Sequence, residues 1–451
     1  SDDDVLINKY NKWIDLKKEI ANQYAVGGET DSIELNANEI EKDLIKSSTA
    51  FIEFNKREDL EWKDVQSRLN PGEAAIEFIH FYSEFEEENS TNSERPVMIS
   101  LCKASELEKL IGTNYANNLD YIQELYGTRQ NPNYELYKLI WKPMENELTG
   151  INTVYLSASG LLHRLSFSAL CNSQNDYLCD NYNLIQLNST TQLVFSKQYS
   201  FSNSKTASLF GGVKYNTKKT KHVTWTYLPG TLTEIDSIYL KLEEKIEVGY
   251  YSKDKATEES FKEVVSKSNY VHIASHGFFY PNPEEVEKEI YKVENTEEIA
   301  FRGGTGYGTW NFVKNKNPLM RSGIAMAGSN DIWDRDVFEQ GEDGVLTAQE
   351  VTTLNMQNTD LVVLSACETG LGDIKGNEGV YGLQRAFKIA GVKYLIMSLW
   401  QVPDKETAEF MTLFYENLLT QEDIRQAFLE TQKEMRAKYD PYFWAAFALI
   451  Q

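Results

Sequence analysis

Two short, fully apolar runs constrain this chain most: Leu361-Val362-Val363-Leu364 and Tyr394-Leu395-Ile396-Met397 show none of the polar alternation of a half-exposed strand. A strand apolar at every position fits a sheet covered by helices on both faces, as parallel sheets in α/β proteins are. These two runs extend over 361–366 and 394–399, and similar ones lie at 207–213, 247–251 and 270–275. Helical periodicity separates most of them, at 232–243, 257–266, 379–390 and 405–418. Strand and helix alternate, so a parallel sheet is expected.

Upstream the pattern differs. From Val5 to about Gln66, apolar residues such as Trp13, Leu16, Ile20, Leu35, Ile40 and Leu44 recur at three- and four-residue spacing, which predicts amphipathic helices. Asn70-Pro71-Gly72 stops that pattern. Strand-like runs follow at 75–81, 97–101, 154–157 and 184–187, with helical stretches at 104–111, 118–126 and 135–147. A polar, serine-rich stretch at 200–206 then precedes the next apolar run. These boundaries divide the 451 residues into a helical region at 1–70, a first α/β unit at 71–205 and a second at 206–451, in line with about three domains at roughly 150 residues each. Residues 277–317 break the rhythm and read as a long loop. Between Pro281 and Ala300 it carries seven glutamates and two lysines; the segment from Pro281 to Asn317 reads either as a solvated surface insertion or as a lid at the rim beyond the neighbouring strand end.

Composition removes several classes of function. With 68 acidic and 45 basic side chains the net charge is −23, which repels phosphate backbones and anionic lipid heads, so neither nucleic acid nor membrane is expected as a direct partner. Four cysteines (Cys102, Cys171, Cys179, Cys367) make no C-x-x-C pair, which argues against a disulfide scaffold and points to a reducing cytoplasm. The first residues lack the basic start and apolar run of a secretion signal, and no apolar run is long enough to span a bilayer. Ser1 in place of methionine is expected from processing or from a start within a longer chain.

No Walker loop, H-E-x-x-H, EF-hand or G-x-S-x-G elbow is present, so neither a metal nor a cofactor is expected. Two strand ends are informative instead: Val271-His272-Ile273-Ala274-Ser275-His276-Gly277 and Leu364-Ser365-Ala366-Cys367-Glu368-Thr369-Gly370. In an open parallel sheet, ligands bind beyond the carboxyl ends of the strands, where His276 and Cys367 would meet. A thiol beside an imidazole is the equipment for nucleophilic attack on a carbonyl, and Gly277 permits close approach of substrate. The competing reading makes Cys367 a small buried hydrophobe. His276 is preferred to His272 because glycine follows it and the strand ends there, whereas His272 lies inside an apolar run. His80, His163 and His222 lie away from these strand ends, and Cys102, Cys171 and Cys179 have no motif around them.

These strand ends, together with 318–328, Gly376-Asn377-Glu378-Gly379-Val380-Tyr381-Gly382-Leu383, Ser398-Leu399-Trp400-Gln401-Val402 and Trp444-Ala445-Ala446-Phe447, resemble the CHAT domain, which groups with caspases, separases and gingipains. The resemblance covers at least 207–451 and reaches back weakly through Tyr155 to Leu170. It implies an α/β fold: a caspase-like parallel-sheet sandwich (206–451), a pseudo-caspase-like α/β unit before it (71–205) and N-terminal helices (1–70). It also implies a cysteine endopeptidase acting on a protein substrate, with His276 as general acid/base and Cys367 as nucleophile. The backbone N–H groups of Gly277 and Cys367 would form the oxyanion hole, and no third side chain is required.

The stretch Trp400-Gln401-Val402-Pro403-Asp404 resembles the Trp-x-Val-x-Asp of separases, whose aspartate binds a P1 arginine. By that resemblance Asp404 is expected to favour a basic P1 residue; the alternative is that it merely caps the following helix. Control by an activating protein or an upstream TPR-like region, in a bacterial signalling or defence system, completes the expectation. The rival reading is a catalytically silent caspase-like interaction scaffold.

Overall fold

The computed structural model describes residues 60–79, 104–111, 119–195, 205–216, 225–280, 317–332, 344–366 and 382–451, Asn315, the backbone of two short strands between 373 and 381, and scattered helical residues between 8 and 40. The strand expected at 97–101 and the acidic block at 281–300 lie outside these residues.

Strands β1 (Glu73–Glu77), β2 (Thr153–Ser157), β3 (Asn183–Leu187), β4 (Thr206–Val213), β5 (Glu247–Lys253) and β6 (Tyr270–Ala274) follow one another along the chain. After them come β7 (Gly277–Phe279), β8 (Ser322–Ala325), β9 (Val345–Thr347), β10 (Leu361–Ser365), the pair β11 (Asp373–Ile374) and β12 (Val380–Tyr381), then β13 (Tyr394–Ser398) and β14 (Phe447–Ile450). Nine of them form one sheet in the order β1-β2-β3-β14-β13-β10-β6-β4-β5, while β7-β8-β9 make a small separate sheet. Strands from both sides of residue 205 are thus hydrogen-bonded into one sheet.

The pairing is parallel throughout the large sheet except at β13–β14. The two halves therefore run in opposite directions. Carboxyl ends of β4, β6, β10 and β13 share one edge of the sheet, and those of β1, β2 and β3 lie at the other. The stretch after β2, which bears the weak family resemblance through Leu170, consequently sits at the edge opposite His276.

The central strands are buried on both faces, as their apolar runs require. Leu361 and Val363 of β10 join one core with Leu209, Ile396 and the helices α1 (Pro229–Leu242), α2 (Asp404–Gln421) and α3 (Ile424–Arg436). Val362 and Leu364 point the other way, into a second core with Phe210, Met397, Phe261, Phe387 and Ile324. All four β10 residues are fully buried, so each strand position removes apolar surface from water on one face or the other. The first core also holds Val154, Leu156, Leu125 and Trp141, so it continues across the sheet into the amino-terminal half.

Helix α1 starts at Pro229, a residue pre-set for the first helical turn. It packs so closely on β4 that a Cβ at Gly211 would stand 2.7 Å from the Thr231 carbonyl oxygen. That contact requires glycine and fixes the start of α1 against the end of β4.

Candidate active site

The chain order of β4, β5, β6 and β10 against their spatial order β10-β6-β4-β5 places a reversal between β4 and β6. Open α/β sheets leave a crevice at such a point, beyond the carboxyl ends of the strands. Tyr215 leaves β4 on one side of it and His276 leaves β6 on the other.

His276 is held from several directions. Its backbone N–H donates to the Tyr215 hydroxyl at 3.3 Å, and its carbonyl accepts from the Ala325 N–H at 2.9 Å. Ser275, just before it, donates to the Ala325 carbonyl and shares a 3.0 Å hydrogen bond with the Tyr215 hydroxyl. The ring lies between Tyr215 and Trp225, with centroids 5.1 and 5.3 Å away. Its Nε2 stands 2.7 Å from the Thr226 carbonyl oxygen. A carbonyl only accepts, so Nε2 carries the proton and the neutral ring keeps its lone pair on Nδ1. Burial lowers the pKa of His276 below the usual histidine value, opposed by the Thr226 hydrogen bond and the negative charge of Asp404.

Gly277 opens β7, opposite Ile324. Because Ala325 N–H bonds to the His276 carbonyl and Tyr280 N–H to the Arg321 carbonyl, the residues between them alternate, and Gly277 falls at a non-hydrogen-bonded position of the ladder. Its N–H therefore points away from β8, along the edge side of the small sheet. A strand thus replaces the start of the loop expected at 277.

Beside β6, β10 pairs in register with Ala274 opposite Ser365. Ala366 is buried, and its carbonyl accepts from the Ser398 hydroxyl of β13 at 2.6 Å. Cys367, the next residue, lies outside the described residues, as do Glu368 to Gly370. In the sequence it stands two positions past the Ala274–Ser365 rung on its strand, as His276 does on the neighbouring one.

Asp404 is the exposed first residue of α2, and Pro403 occupies the N-cap with no side-chain capping bond, so the capping role does not occur. The side chain lies against the start of α1, where a Cβ at Gly230 would stand 2.3 Å from it. Asp404, Thr226 and His276 therefore gather on one side of the crevice.

His272 is separate from this group. Fully buried, it bonds through Nε2 to the Glu234 carboxylate of α1 at 2.9 Å and through Nδ1 to the Tyr415 hydroxyl of α2 at 3.3 Å. It fastens α1, which starts three residues after Thr226, and α2, which starts at Asp404, to β6, which ends two residues before His276. His163 is buried too, and burial lowers its pKa to about 4. Burial raises the Cys171 thiol to about 11 and the Cys179 thiol to about 12, where Arg436 pulls in the other direction. Both remain protonated at neutral pH, which suits structural roles. Cys102, His80 and His222 lie outside the described residues.

Reading the motifs missed Tyr215, Trp225 and Thr226. Their signal was position: the chain just past the first strand of a doubly wound unit borders the crevice. Among the described residues no cluster of three or more His, Cys, Asp or Glu is arranged to hold a metal ion, and no helix is long and apolar enough to cross a membrane.

Tetratricopeptide repeat protein 28 is 32% identical to this chain in Mus musculus and 34% in Homo sapiens, over 109 residues in each case. That stretch is 24% of this chain and 4% of either relative, so the chain spans only a small fraction of the curated proteins it matches. Among solved structures, separase of Saccharomyces cerevisiae in its complex with securin is similar at a TM-score of 0.39 and 12% identity, over 74% of this chain and 18% of that one. The Arg-specific cysteine proteinase gingipain R is similar at a TM-score of 0.37 and 10% identity, over 74% and 67%. A family model for the CHAT domain matches residues 130–451, which takes in β2 to β14, the crevice and both strand ends. The match covers well over half of the sequence, and the chain belongs to the CHAT domain family.

Proposed function

We propose that this chain is a cysteine endopeptidase in which His276 is the general acid/base and Cys367 the nucleophile. The observation that carries the reading is the Thr226 carbonyl on Nε2, which leaves Nδ1 as the proton acceptor at the end of the strand beside the one leading to Cys367. In the reaction, Nδ1 takes the thiol proton as sulfur bonds to the peptide carbonyl carbon. The resulting oxyanion is met by the N–H groups of Gly277 and Cys367. The tetrahedral species collapses, the C–N bond breaks and His276 gives its proton to the leaving amine. Water, deprotonated by the same nitrogen, then attacks the thioester carbonyl and releases the acid and the thiol.

The protease reading is tested by reacting the folded chain with an iodoacetamide-type reagent near neutral pH and by searching a peptide library for cleavage. Stoichiometric labelling of Cys367 and internal cleavage are expected. An unreactive thiol with no cleavage would leave the interaction scaffold in its place. A TPR-like region as regulator accords with the tetratricopeptide repeat names of the two curated relatives, and an activating protein is the alternative regulator.

Asp404 is proposed to contact a basic P1 side chain, because its exposed carboxylate stands at the crevice and is not spent on capping. Asp404→Asn is expected to reduce preference for Arg or Lys by about fivefold, the upper end for a solvent-exposed ion pair. The same variant has a second expected effect. An imidazole accepts a proton only when neutral, so kcat/KM falls as pH drops through the His276 pKa, which lies below the usual 6.5. The Asp404 charge holds that pKa up, so its removal should move the acid limb to still lower pH when measured with a neutral-P1 peptide. Unchanged P1 preference or a limb displaced upward would refute the assignment.

A further inference from the structure

Thr226, whose carbonyl fixes the His276 ring, is exposed and stands three residues before the start of α1. The clamp on this stretch of chain comes from a residue distant in sequence. Asn330, fully buried in the short helix Ser329–Ile332, accepts from the Trp225 N–H at 2.8 Å through Oδ1 and donates to the Trp225 carbonyl at 2.8 Å through Nδ2. The same Nδ2 also donates to the Asn216 side chain. Its backbone N–H bonds to the Tyr215 carbonyl at 3.0 Å, and the neighbouring Gly328 N–H to the Lys214 carbonyl at 3.1 Å. One residue therefore grips both walls of the imidazole: the chain carrying Tyr215 and the chain carrying Trp225.

We infer that Asn330 is a positioning residue for the acid/base histidine, holding the Trp225 backbone so that the Thr226 carbonyl stays on Nε2 and Nδ1 keeps its lone pair. The geometry leaves little slack. Peptide groups are planar, so the two bonds from the Asn330 amide fix both peptide planes flanking Trp225. Only two backbone torsions, those of Thr226, then separate the clamped plane from the carbonyl that bonds His276. A ring freed from that carbonyl could place its proton on either nitrogen, and the form protonated on Nδ1 cannot accept the thiol proton there. The inference rests on the protease reading for its effect on catalysis, but not for its effect on the ring.

The test uses the full chain with ¹⁵N-labelled histidine, comparing wild type with Asn330→Ala, which removes both bonds to Trp225. It also includes Asn330→Asp, which keeps the acceptor and loses the donor. Imidazole nitrogen shifts at a pH where the ring is neutral should show the Nε2–H form of His276 in the wild type and a mixture of tautomers in both variants. With a cleaved peptide, kcat should fall roughly tenfold or more with KM changed much less, because acid/base work contributes to the chemical step. Folded variants with the wild-type tautomer overturn the inference. Loss of folding in both would also overturn it, by making Asn330 a purely structural residue. If the wild type cleaves nothing yet the variants lose the Nε2–H form, the protease reading fails and the positioning role stands.

Discussion

Cys367→Ala and His276→Ala are each expected to lower peptide cleavage by roughly three orders of magnitude or more, since the proposed dyad has nucleophile and acid/base acting as one unit. The same logic makes the double variant scarcely worse than either single one, and that lack of additivity is the sharper signature. His276→Ala also forfeits ring contacts with Tyr215 and Trp225, each worth about 0.5–1.5 kcal/mol, so a small fall in Tm accompanies it. A purely structural histidine would show the fall in Tm without the loss of turnover. Single-turnover rates at a temperature well below the melting transition separate the two, and substantial cleavage by either variant would sink the dyad.

The largest effect on stability is expected at the other histidine of the strand. Breaking a buried polar pair by removing one partner costs about 3–5 kcal/mol, because the remaining group stays desolvated and unpaired. His272→Ala strands the Glu234 carboxylate and the Tyr415 hydroxyl in a core where both are buried. Tm should therefore drop by several degrees, while kcat of the folded fraction stays within a few-fold of wild type. His272→Gln should be milder in stability, and its activity should exceed that of His276→Gln by a wide margin. A variant at 272 that kept its Tm but lost turnover would move the acid/base role from 276 to 272.

Much of this arrangement was legible in local residue patterns. Apolar runs at 270–275, 361–366 and 394–399 correspond to β6, β10 and β13, because a strand buried on both faces has little room for polar side chains. Residue 276 was separable from 272 because glycine follows it and the apolar run ends there, and the structure places 272 in the core between two helices. The helix at Ile424–Arg436 was not read, and β14 was known only as a motif around Trp444 without a strand assignment. Four residues offer too short a pattern to declare their partners.

Local pattern thus determined which segments become strands and helices, that the sheet would be largely parallel, and which strand end carries an imidazole. Those properties depend on periodicity and on neighbours a few residues apart. Tertiary structure alone decided that β14 runs against β13 and reverses the direction of the whole amino-terminal half. It also decided that Thr226, fifty positions before His276, supplies the carbonyl on its ring, and that Asn330, over a hundred positions after Trp225, clamps the chain leading to it. Backbone carbonyls and amides are common to all residue types, so no side-chain signal marks which of them will meet. Their pairing follows from the docking of β4, β6 and the helices, which depends on long-range burial rather than on any local run of sequence.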